Sequence, residues 1–287
     1  MIVSVRLVVR RLRVELLIWL TASLVLTAGT LILANAVEHT SGTMPDASWI
    51  GLVPYVRSAL LCLPILAGLF FGASLIAAEL DQGTSAFSWS MALSRRHWLA
   101  ETAIAGVLMV LAVSVPIAGA SWLLGSDLGA QLDVTSSPSG IDPSALLLIS
   151  RPMAALSIAA LVGIILGRSL PTLIVALVVS CLVLGALEVG FNTWRQAGVT
   201  PIDLSTPGVL YVGDRLATMD GRLLSDQEAN AAAKNGGSYL ALFQHVPVGL
   251  TPQARASTLA CQVGLTLVTG AVALLATGVL IERRRPV

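Results

Sequence analysis

Charge is scarce in this chain. Of its 287 residues, 11% are Asp, Glu, Lys or Arg, against roughly a quarter in a soluble domain. That deficit excludes an ordinary water-soluble globule. A net charge of +1 leaves no broad basic surface of the kind nucleic acid requires, so no nucleic-acid partner is expected. Lysine is nearly absent: Lys234 stands beside sixteen arginines. A phosphate loop of the G-x-x-x-x-G-K-[ST] type needs its lysine against the phosphates. Lys234 is followed by Asn235 and has no glycine pattern before it, so Walker-type ATP hydrolysis by this chain is excluded. H-E-x-x-H and G-x-S-x-G are also missing. His39, His97 and His245 are scattered. No catalytic, cofactor-binding or metal residue is expected in the chain. Cys62, Cys181 and Cys261 fall inside apolar stretches without disulfide or metal spacing. They read as small core hydrophobes.

What the chain has is hydrophobic length, with 55% apolar residues. These gather into stretches of about 20 residues, each enough to cross ~30 Å of hydrocarbon. The fold class is all-α, a polytopic membrane protein with six transmembrane helices near residues 14–36, 57–78, 99–124, 145–167, 171–190 and 257–281. The apolar runs do not alternate, which argues against a barrel. The first run is too long for the core of a signal peptide and is kept as an uncleaved span. Arginines set the orientation. Arg6, Arg10, Arg11 and Arg13 precede span one, Arg95 and Arg96 follow span two, Arg168 follows span four, and Arg283, Arg284 and Arg285 follow span six. All lie on one side, so both termini are cytoplasmic. Tryptophans mark the interfaces: Trp19, Trp49, Trp98, Trp122 and Trp194 fall near span ends. Only Trp89 lies elsewhere.

The first 13 residues repeat Val5, Val8, Val9 and Leu12 at helical spacing, with arginines between. They read as an amphipathic interfacial arm in contact with membrane lipid, or as a frayed basic tail. Residues 191–256 are too long for a plain connector. A capping box at Ser225–Glu228 predicts an outer cap with at least one short helix over 228–234. A shorter interfacial helix is expected at 49–55. Arg151 in span four and Glu188 in span five are intramembrane charges, functional by default. They are candidates for an ion pair, or each snorkels to the interface. Gly68-x-x-x-Gly72 and Gly163-x-x-x-Gly167 would permit close helix contact.

The most patterned stretch is residues 72–98. Glu79 and Asp81 close span two, and Gly83-Thr84 turns the chain. Phe87, Trp89 and Met91 follow on a run rich in serine. Ser94, Arg95, Arg96, His97 and Trp98 end it. The run fits a short amphipathic helix lying flat beneath the membrane, with or without a partner.

Glu79-Leu80-Asp81-Gln82-Gly83-Thr84, followed by Ser94-Arg95-Arg96-His97-Trp98-Leu99, resembles the loop after the second span of ABC-2 type transporter permeases, especially actinobacterial ones. The motif covers about 25 residues, and span number, termini and basic arm extend the resemblance over most of the chain. Glu101 departs from it where a lysine is expected. The resemblance implies an ABC-2, type V exporter-like architecture in the bacterial plasma membrane. Residues 1–13 would be a connecting helix and 79–98 a coupling helix, within a six-span domain over 14–287 that carries an extracellular cap at 191–256. Glu79, Asp81, Gly83, Thr84, Phe87, Trp89, Met91, Ser94, Arg95, Arg96 and Trp98 would couple to a separate ABC ATPase dimer, which would hold the ATP and Mg. A second, identical or homologous permease would complete the path. The implied substrate is an amphipathic drug, antibiotic or lipid-like compound. Two other readings remain from the residues alone. An ion-coupled secondary transporter calls for inverted repeats and buried acids. A membrane anchor or regulatory protein calls for a receptor domain or a catalytic cluster.

Overall fold

A computed structural model gives the architecture. It describes residues 10, 12–39, 47–83, 94–127, 144–197, 199–203, 210–218, 222–224, 228 and 243–283. In order these form α1 (Arg13–His39), α2 (Ala47–Asp81), α3 (Arg95–Asp127), α4 (Ala145–Leu166) and α5 (Ser169–Ala197). Then come β1 (Thr200–Pro201), β2 (Leu210–Thr218), β3 (Phe243–Leu250) and α6 (Pro252–Arg283). Among the described residues, six helices are long and apolar enough to cross a membrane. Only helices and closed barrels satisfy their backbone in lipid, so the chain is a multi-pass helical membrane protein. It divides into two compact units. One comprises residues 1–128, 142–187 and 262–287, and the other 129–141 and 188–261.

The first unit is organised around α4. Of its most apolar window, 72% is buried, against 17% for α1 and for α5. The reason is side-chain size. Apolar attraction between helices vanishes in lipid, so tight packing and small residues decide which helix goes to the centre. Gly68 and Gly72 of α2 sit directly on the α4 backbone. A Cβ added at Gly68 would lie 2.3 Å from the Pro152 carbonyl oxygen, and one at Gly72 2.4 Å from that of Leu156. Farther along, a Cβ at Gly163 would be 3.4 Å from that of Ala77. Gly68, Gly72 and Gly163 therefore lie at this seam, whereas Gly167 is the left-handed cap that ends α4 (φ 66°). The register makes α2 and α4 parallel, as two connections between them require. Gly106 of α3 faces Leu75 and Leu156, and Gly270 of α6 faces Ala154. Ser23 of α1 donates to the Val113 carbonyl of α3 at 2.7 Å in a buried contact. Most other span hydroxyls donate to the carbonyl four residues back, as Thr102, Ser157, Thr172, Thr266 and Thr277 do.

In the second unit a three-stranded antiparallel sheet runs in the order β1-β3-β2. Sequence reading expected a cap built on a short helix and found no sheet. Residues 229–234 lie outside the described residues, so that helix stands as an expectation. The sheet was hidden because β3 is the central strand yet contains Pro247, which lacks the ladder donor. The Pro247 carbonyl accepts from Ile202 at 3.0 Å. The missing donor therefore faces the β1 side, where that strand ends after two residues. β2 adds a bulge between Tyr211 and Gly213, which breaks its alternation.

Two further expectations are corrected. The separate helix at 49–55 is the opening of α2, which begins at Ala47. Cys62, Cys181 and Cys261 are all exposed. They lie on outward helix faces, where a small apolar side chain costs nothing in lipid, and not in the core.

Candidate functional site

The ends of α2, α4 and α6 and the starts of α3 and α5 carry the polar side chains that sequence singled out. Ser94 caps α3, its Oγ accepting from the His97 amide at 3.1 Å. Glu79 and Asp81 belong to the last turn of α2, and Gly83 follows in the left-handed conformation (φ 67°). Arg95, Arg96 and Trp98 lie in the first turn of α3. The described structure therefore assigns both ends of the 79–98 stretch to spans. Thr84, Phe87, Trp89 and Met91 lie outside the described residues, as do Arg6 and Arg11. Arg10 and Arg13 are described and exposed.

Arg96 is engaged within the chain. Its Nη2 donates to Glu282 Oε2 at 2.8 Å and its Nε to the other carboxylate oxygen. This two-pronged pairing matches the planar fork of arginine to a carboxylate. Beside it, Arg95 Nη1 donates to the Ile281 carbonyl at 3.3 Å, reaching one of the carbonyls that the end of α6 leaves without a helical partner. Asp81 Oδ2 accepts from Ser169 Oγ at 2.9 Å and from the Ser169 amide at 3.3 Å. A carboxylate at the start of α5 meets free amides and the positive end of the helix dipole. Glu101 is buried, and its Oε1 lies 3.3 Å from His97 Nε2, one turn back. The His97 ring gives the buried carboxylate a polar neighbour. Trp98 is buried in the cluster that includes Leu12, Leu99 and Ile281. It anchors the start of α3.

Arg151 is the seventh residue of the Ala145–Leu166 span and precedes Pro152, whose carbonyl packs on Gly68 of α2. It is buried and is not without a partner. Glu188 belongs to the second unit, where its Oε1 accepts from Arg195 Nη2 at 3.1 Å. Both side chains are largely buried, 13% exposed for Arg195 and 17% for Glu188. Sequence reading missed Arg195, although the i, i+7 spacing on one helix face was available as a signal. Glu188→Gln should weaken this end of α5 by about 1.5–3 kcal/mol, the usual worth of a hydrogen bond to a charged group. Thermal unfolding in detergent, with Arg195→Gln as the reciprocal variant, would check it.

A cavity of about 30 Å³ lies among α2, α3, α4 and α6, lined by Gly72, Leu75, Thr102, Leu156, Ser157 and Leu274. It has room for about one water, far below the several hundred Å³ of a drug-sized ligand site.

Six apolar helices meet along a small-residue seam, and the Arg96–Glu282 and Asp81–Ser169 pairs lie at one end of the first unit. A family model described as ABC-2 membrane transporter related matches residues 14–191, more than half of the chain. The chain belongs to that family. It is thus a permease-type membrane subunit of the ABC transporter class, in which an ATPase partner is the catalytic member. No curated protein and no solved structure matches the chain.

Proposed function

We propose that the chain is the translocation subunit of an ABC exporter in a bacterial plasma membrane, with both termini cytoplasmic, and that residues 84–93 contact a separate ATPase dimer. ATP and Mg would reside on that partner. The supporting observation is the family match across the first five spans. The polar pairs of α2, α3, α5 and α6 add to it, because they cluster where the arginine bias predicts the cytoplasm. Arg10 and Arg13, exposed at the start of α1, suit a connecting arm against anionic lipid. The exposed apolar faces of α1 and α5 give a second permease copy a surface to pack on. Amphipathic small molecules are the substrate class this reading favours. Residues 191–256 would lie outside the cell.

Charge reversal of Arg96 cannot test the docking, because it also breaks the contact with Glu282. Trp89→Asp is the cleaner variant. Co-expressed with candidate ABC ATPases, the unaltered chain should co-purify with one of them and stimulate its ATP turnover. Trp89→Asp should cut the ATPase recovered at least fivefold at unchanged permease yield. Equal recovery would remove residues 84–93 from the interface. Solute movement driven by an ion gradient with no ATPase bound would overturn the reading altogether.

A further inference from the structure

The cavity among α2, α3, α4 and α6 has a direction. Its floor includes Gly72, Leu156 and Ala160, all buried, and its rim is Ala103 and Val107 of α3 with Leu274 of α6, all half-buried. Exposed Ile104, Leu108 and Leu275 flank that rim. The cavity is therefore the deep part of a crevice between α3 and α6 that faces lipid. Its two hydroxyls, on Thr102 and Ser157, each donate to a carbonyl of their own helix. No donor points into it, and an apolar hollow of this kind takes hydrocarbon in preference to water.

The same two helices carry a group of cations at one end. Arg95 and Arg96 open α3, and Arg283 closes α6. One carboxylate, Glu282, lies among them. Arg96 uses Nε and Nη2 on that carboxylate and is still 76% accessible; Arg283 is exposed. Glu101 lies deeper, beside His97. The arginines therefore leave positive charge in excess at the head of the crevice. From Arg95 to the stretch Thr102–Val107 is about 10–18 Å along α3 at ~1.5 Å per residue. The acyl chains of one leaflet cover a similar depth, half of a ~30 Å core. Between the two lies Gly278 of α6, where an added Cβ would be 3.6 Å from Leu99 Cδ2. Lacking a side chain, Gly278 keeps the wall low along the way.

We propose that the arginines and the α3–α6 crevice together bind one anionic phospholipid. Its phosphate sits against Arg95, Arg96 and Arg283, where guanidinium forks and a phosphate match in charge and shape. One acyl chain passes over Gly278 and fills the crevice beside Ala103, Val107 and Leu274. The site goes beyond the transport reading and does not depend on it. Native mass spectrometry of the full chain, released from a non-ionic detergent, measures the dissociation constant of the first lipid bound. The probes are dioleoyl phosphatidylglycerol and dioleoyl phosphatidylcholine. Phosphatidylglycerol should bind at least fivefold tighter. Arg95→Gln with Arg283→Gln should cut that preference at least threefold, and Arg95→Lys with Arg283→Lys should retain most of it. Arg222→Gln, at an exposed position of the second unit, should leave it unchanged. Ala103→Phe blocks the crevice and should weaken the first site for both lipids alike. Should that variant misfold, the arginine variants decide alone. Equal constants for the two lipids in the parent, or a preference that survives the double glutamine variant, overturn the site. Displacement of phosphatidylglycerol by glycerol 3-phosphate would reveal an anion site without a chain groove, and overturns it too. Lost ATPase recovery at unchanged lipid preference would assign the arginines to the ATPase instead.

Discussion

Gly68→Leu and Gly72→Leu should each abolish the folded membrane unit, and Gly68→Ala alone should destabilise it measurably. The first atom of any side chain at these positions would lie 2.3–2.4 Å from a carbonyl oxygen of α4. Backbone cannot rotate away as a side-chain tip can, so α2 would have to lift off the central helix. Overpacking of this kind typically costs about 1–3 kcal/mol for a modest group, and more where backbone is the obstacle. Loss of monodisperse material in size-exclusion chromatography, with a lowered melting temperature for Gly68→Ala, is the readout. Gly29→Ala, Gly185→Ala and Gly264→Ala are the controls. Nothing lies within 4 Å of an added Cβ at those sites, and alanine is the better helix former by ~1 kcal/mol. Their melting temperatures should stay level or rise. A Gly68→Ala protein as stable as the Gly29→Ala control would refute the α2–α4 seam.

Arg151→Leu should produce the second large loss. The side chain is buried within the Ala145–Leu166 span and is not without a partner. Replacing a buried charged group strips its contacts, and loss of a hydrogen bond to a charged group alone costs about 1.5–3 kcal/mol. Arg151→Lys keeps the charge but loses the planar fork of donors, and should fall between Leu and the parent. Thermal unfolding in lipid vesicles ranks the three proteins. A leucine variant as stable as the parent would mean that Arg151 reaches water by snorkelling, the alternative its position in the sequence left open.

Much of the architecture was legible because lipid imposes a one-dimensional rule. A stretch of apolar residues long enough to span must be helical, so the number of helices and their approximate centres follow from composition. The ends were less legible. Sequence reading stops a span where the apolar run stops. Helices, however, continue into water as long as their backbone bonds and caps hold, which carries α2 back to Ala47 and α5 on to Ala197. The 79–98 stretch shows the same effect. Its acidic start and Arg-Arg-His-Trp end looked like one surface element, but both ends belong to spans. Ser94, the last serine of that stretch, is the α3 cap.

The chain by itself determined a six-span helical membrane protein without a phosphate-binding loop, and its 79–99 motif already pointed to the ABC-2 transporter class. The tertiary structure decided which glycines are indispensable, that Arg96 faces Glu282 from 186 residues away, that Arg195 serves Glu188, and that a three-stranded sheet forms with Pro247 in its central strand. The division has a physical cause. Burial in lipid depends on local composition, which sequence displays directly. Polar partnership depends on which helix ends come together, and only the packing of small residues at the α2–α4 seam sets that.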